Sequence, residues 1–168
     1  MGFNERFMKD VPKIPGLTSV FRTVVNQSCT QTSNATDAAV DVTGSRVVLG
    51  KGEFKPGMTF RVSLGGTKSG TNGTMAVYLK LGATQVMTLT SDETTEVDWY
   101  AQFLISAYTD FAHQKVLGRL NTLTTDPVVD YAAGTVNTSQ GAALVAQILP
   151  TSGDTVTVEY CLVEHWKW

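Results

Sequence analysis

Apolar and polar residues alternate with a period of two through most of the chain, and clusters of Gly, Asn, Asp, Ser and Thr separate the alternating stretches. A period of two is the spacing at which successive side chains fall on opposite faces of an extended strand. The clearest case is Met58 to Leu64, where Met58, Phe60, Val62 and Leu64 share one face and Thr59, Arg61 and Ser63 the other. Met75, Val77, Leu79 and Leu81 repeat it. The glycine-rich stretch Gly65 to Gly73 lies between these two strands and reads as a long hairpin loop. Gly82-Ala83 then turns the chain into Gln85 to Thr90, and a polar loop, Ser91 to Glu96, leads to the aromatic segment Val97 to Tyr108. Trp99, Tyr100, Phe103 and Tyr108 mark that segment as a central strand.

Gln114 to Thr122 is expected to follow as a strand, then a Thr-rich passage broken by Pro127, then Ala143 to Leu149, a Pro150-to-Asp154 turn, and Thr155 to Val163. In the last strand Val156, Val158, Tyr160 and Leu162 are expected inward, with Thr155, Thr157, Glu159 and Cys161 outward. About eight strands, with turn signals every ten residues or so and no stretch of helical period, predict an all-β antiparallel sandwich or barrel. The 168-residue length fits one domain, residues 18–168, behind an N-terminal arm, residues 1–17. Within the arm, Val11-Pro-Lys-Ile-Pro-Gly16 cannot be helical across its prolines and should run extended.

Charge narrows the function. The formal net charge is −2 and no basic run exists, so there is no electrostatic reason to expect nucleic acid. The longest apolar run, Leu144 to Leu149, is far short of the roughly 20 residues that span a bilayer. No signal-peptide pattern opens the sequence, so synthesis and maturation in the cytoplasm are expected. Cys29 and Cys161 are more readily two inert thiols than a disulfide in that compartment.

Candidate chemistry is sparse. His113 and His165 lack the nucleophile and acid of a hydrolase site, so no catalytic residue is assigned. Asp92, Glu93, Glu96 and Asp98 form an acidic cluster without the spacing of a calcium loop, and read as a solvated hairpin tip. The Gly65-to-Gly73 stretch lacks the Gly-Lys-Ser/Thr ending of a phosphate loop. No metal or cofactor is expected. Large apolar side chains near the two ends stand out instead: Phe3, Phe7, Met8 and Ile14 in the arm, and Trp166 and Trp168. They either pack on this domain or insert into a neighbour, and buried aromatic anchors of this kind are favoured in interfaces.

Three passages resemble the jelly-roll domains of tailed-phage virion proteins, namely capsid decoration proteins, head fibres and tail-fibre tips. They are Val48 to Val62 with its Pro56-Gly57 turn, the Gly65-to-Leu81 stretch, and Ala146 to Tyr160 with Val163-Glu164 beyond. The resemblance implies a jelly-roll sandwich that forms a homotrimer and attaches to a virion. The family carries no catalytic motif. With no coiled coil or repeat ahead of the domain, the compact decoration or cement protein, bound to a major capsid protein, is the expected role. A tail-fibre module that contacts host glycan is the alternative.

Overall fold

The computed structural model describes residues 17–23, 27–30 and 38–167, apart from 72, 93, 123, 125 and 152. Among these there is no helix. The strands are β1 (Leu17–Thr23), β2 (Gln27–Thr30), β3 (Val40–Asp41), β4 (Val47–Leu49), β5 (Met58–Ser69), β6 (Met75–Leu81), β7 (Thr84–Ser91), β8 (Val97–Ala107), β9 (Gln114–Thr122), β10 (Val128–Gly134), β11 (Ala142–Pro150) and β12 (Thr155–Lys167). They form two antiparallel sheets. The larger runs β1-β12-β5-β8-β9-β10 and the smaller β3-β11-β6-β7.

In both sheets the ribbon beside the longest neighbour is broken in two. β2 pairs with Thr155 to Val158 of β12, and β1 with Cys161 to Trp166. β4 pairs with Ala142 to Leu144 of β11, and β3 with Gln147 and Ile148. Ser45 bridges the second break. Its buried hydroxyl accepts the Ala146 N–H at 3.0 Å and donates to the Ala146 carbonyl at 3.2 Å, a carbonyl that also accepts the Val42 N–H at 2.9 Å.

The sheets share one core, sandwich-fashion. Phe60, Val62, Leu64, Phe103, Ile105, Val116 and Leu120 from the larger sheet meet Val77, Leu79, Leu81, Leu89, Leu144 and Ile148 from the smaller, all fully buried. Burying each such side chain stabilises the fold by roughly 1.5–3 kcal/mol. Phe54 plugs one end, its ring 5.4 Å from that of Phe60 and edge-on to it. β8 lies between β5 and β9, so the aromatic strand is central as expected.

Three expectations are corrected. Gly65 to Gly73 is not a hairpin loop: β5 continues through Ser69, and β5 and β6 belong to different sheets. Glycine is required there for a reason other than looseness. A Cβ on Gly65 would lie 2.4 Å from the Tyr160 ring, and one on Gly66 only 1.9 Å from the Thr157 carbonyl oxygen. The same spot explains the second correction. Gly66 pairs with Val158 and Gly65 with Tyr160, leaving Glu159 as an extra residue, a β-bulge. Beyond it the strand's faces exchange. Cys161 and Val163 enter the core, while Tyr160 is exposed and Leu162 half-buried. The acidic segment is likewise no hairpin tip, since β7 and β8 lie in different sheets.

Candidate functional site

At one end of the sandwich, β5 begins and β12 ends beside each other, with Lys167 opposite Met58 and His165 opposite Phe60. β4 and the turn that carries Gly52, Glu53 and Lys55 stand across from them. Between these elements lies a hollow of about 430 Å³, lined by Val47, Val48, Leu49, Met58, Phe60 and His165 among others. The turn is set by Gly52 at φ 69°, in the region that favours glycine, and by the Glu53 carboxylate, which accepts the Gly50 N–H at 2.6 Å. The His165 ring stacks at 5.2 Å from Phe60. Burial holds its pKa below the ordinary histidine value, an effect that Glu53 opposes. The hollow is thus an apolar seat with an imidazole and a carboxylate at its rim. It suits a large apolar side chain.

The register ties the chain's two predicted interface segments to this place. Leu17 pairs with Trp166, and Ser19 with His165, so the chain enters β1 next to the hollow. Phe3, Phe7, Met8, Ile14 and Trp168 lie outside the described residues, and Trp166 is described only through its backbone. The sequence treats arm and tail as separate anchors. Strand pairing makes their roots neighbours.

Other titratable groups have local explanations. His113 Nδ1 is 2.7 Å from Asp110 Oδ1 on an exposed turn, where the Ala112 N–H first and His113 second hold the Asp110 carboxyl below its usual pKa. The Cys161 thiol is free and buried, and desolvation pushes it up to about 12, which removes it as a nucleophile. Asp92, Glu96 and Asp98 are exposed. Among the described residues no three His, Cys, Asp or Glu side chains converge to hold a metal.

A second surface went unread in the sequence. On β9 and β10, Lys115, Leu117, Arg119, Val129 and Tyr131 all point away from the core, with Leu117, Val129 and Tyr131 exposed by 43, 61 and 58%. Lys115 Nζ sits 5.5 Å from the Tyr108 ring centre and 5.4 Å from that of Tyr131, a cation held between two exposed aromatic rings. The signal available was Val128-Val129-Asp130-Tyr131, a short β-branched and aromatic run after Pro127.

No protein-family model matches the chain, and no curated protein matches it significantly.

Proposed function

We propose that this chain is a structural protein of a bacteriophage particle, a jelly-roll β-sandwich that works by binding protein subunits, its own copies included, and that it decorates and cements the outer capsid shell. The strand order supports the jelly-roll part. If β1/β2 and β3/β4 are each counted as one broken ribbon and the β9–β10 hairpin is set aside, the ribbons in chain order read 1-8-3-6 in one sheet and 2-7-4-5 in the other. That order is consistent with the winding of a jelly roll, an architecture common among viral capsid proteins and lectins. The observation that carries the subunit-binding part is the pairing of Leu17 with Trp166 beside an apolar hollow. Arm, tail and seat are then one attachment site.

The mechanism is linkage. A contact made only with the assembled shell shifts the equilibrium away from disassembly. Burying an aromatic or methionine side chain of the arm in such a contact would contribute roughly 1.5–3 kcal/mol before ordering costs. Deleting residues 1–16 is expected to leave a cooperatively melting domain that no longer co-sediments with phage particles lacking the protein. Retention equal to that of the full chain would refute attachment through the arm. Counting copies per particle by mass spectrometry checks the location, hundreds for shell decoration and a handful for a tail. The exposed Tyr108 and Tyr131 rings favour a second reading, a glycan-contacting module of a tail fibre, since flat aromatic faces suit sugar rings.

A further inference from the structure

On β9, Lys115 and Arg119 point outward on either side of Leu117, and among the described residues neither forms an ion pair. Their cross-strand neighbours are neutral: Ser106 and Ala133 beside Lys115, Gln102 and Val129 beside Arg119. The acids nearby in sequence are engaged elsewhere. Asp130 alternates to the other face of β10, and its carboxylate accepts the Tyr131 N–H at 2.7 Å. The Asp110 carboxylate accepts the Ala112 N–H and contacts His113, each at 2.7 Å. In a chain of net charge −2 this face is a local reversal of sign.

Neutral groups hold both cations in place. Lys115 Nζ stands between the Tyr108 and Tyr131 rings, and Arg119 Nε donates to Asn121 Oδ1 at 2.9 Å. A hydrogen bond to Tyr131 raises the Lys115 pKa above its ordinary value, so the ammonium persists at physiological pH. The remaining Arg119 donors match the two oxygens of a carboxylate. Four residues separate the cations along one strand, roughly 13–14 Å. That is too sparse for a nucleic-acid strand, whose phosphates recur every few ångströms. Nor is the edge open to an acidic peptide as an added strand, since the Asp130 carboxylate occupies the Tyr131 N–H. Between the cations the surface is apolar and aromatic, with Tyr108, Leu117 and Tyr131 exposed by 63, 43 and 58%. A sugar ring turns polarised C–H groups to the negative face of an aromatic ring, and an acidic sugar adds a carboxylate at its side.

We infer that this face binds an anionic polysaccharide, its carboxylates on Lys115 and Arg119 and its sugar rings on Tyr131 and Leu117. Charge complementarity selects the acidic chain and the exposed rings select a saccharide. The inference rests on the glycan-contacting reading, which it narrows to one face and one class of sugar, and it needs nothing of the hollow.

The test titrates the full chain calorimetrically with hexamers of sialic acid and of mannuronic acid, with neutral maltohexaose, and with hexaglutamate. Binding is expected for the acidic sugars, weakening as salt rises. Lys115→Gln and Arg119→Gln should each reduce the affinity about ten-fold, with melting transitions unchanged. Tyr131→Ala, which keeps both cations, should reduce saccharide binding more than hexaglutamate binding. Hexaglutamate bound as tightly as the acidic sugars, with Tyr131→Ala indifferent, would make the face a bare polyanion patch and overturn the inference. Maltohexaose bound as tightly as the acidic sugars, with Lys115→Gln indifferent, would also overturn it while leaving the glycan-contacting reading in place. If no saccharide binds at millimolar concentration, both fall and attachment at the hollow still stands.

Discussion

The same two strands, β5 and β12, make both ends of the sandwich, and they finish them in opposite ways. Where β5 ends and β12 begins, Lys68 and Asp154 are both completely buried, with Nζ 2.9 Å from Oδ2. Lys68 also donates to the Gly70 carbonyl at 3.2 Å, and the Thr151 hydroxyl is bonded to the Thr74 carbonyl. Gly70, at φ 103°, lets the backbone pass so close to Asp154 that a Cβ would meet Oδ1 at 2.1 Å. Where β5 begins and β12 ends, an apolar hollow stays open beside the root of the arm. A buried ion pair adds little net stability over an apolar replacement, but it tolerates no partial change. One end is therefore fixed in a single arrangement and the other is left to receive something.

The largest test of that contrast is at the closed end. Lys68→Met leaves a carboxylate buried without its cation and is expected to cost roughly 3–5 kcal/mol, lowering the melting temperature by on the order of 10 °C. Lys68→Met with Asp154→Val should recover most of the loss. A well-tolerated single substitution would show that the pair does not hold this end. The next effect lies at the bulge, two residues along β5 from Lys68. Gly66→Ala forces a Cβ against backbone rather than against a yielding side chain, and a cost of roughly 1–3 kcal/mol or more in urea unfolding is expected. A change too small to resolve would mean that the bulge relaxes freely.

The smallest effect is at the open end and depends on pH. The His165 pKa is lowered in the folded state, so the unfolded chain takes up the proton first as pH falls through the ordinary value of 6.5. This group's contribution is therefore fully present above 6.5, declines as pH falls below it, and levels off under the folded-state value. Wild type should lose slightly more stability than His165→Gln across that window. Parallel pH dependence in the two proteins would place His165 in solvent rather than against Phe60.

Strand existence was legible wherever one face is wet and the other dry, as at Met58 to Leu64 and Met75 to Leu81. The partition of strands between sheets was not. A glycine pair between strands carries the same letters whether it forms a loop or makes room for the Tyr160 ring, and only the partner strand decides. Nor does a bulge leave a periodic trace, which is why strict alternation puts Cys161 and Tyr160 on each other's faces. Even the face of β5 predicted to be wet is partly dry. Thr59 and Ser63 are buried there, Thr59 sharing a 2.8 Å hydrogen bond with Ser106 and Ser63 lying within 3.4 Å of the Gln102 amide. The site was legible only in part for a related reason. Composition marks Phe3 or Trp166 as anchors, but only the antiparallel register of β1 on β12 brings their segments to one end. Lys68 read as part of a loop because its partner lies half a chain away.

The place of β12 in the larger sheet also bears on how the protein comes off the ribosome. It is an interior strand, and each of its neighbours, β1, β2 and β5, precedes it in the chain by a long interval. During synthesis those three strands emerge with their shared partner still unmade, exposing apolar faces and unsatisfied backbone edges. The nascent chain must wait in that state until residues 155–167 appear. Folding is then closed by the late insertion of one strand between two that have stood ready, the slow, non-local step that sandwich topologies impose.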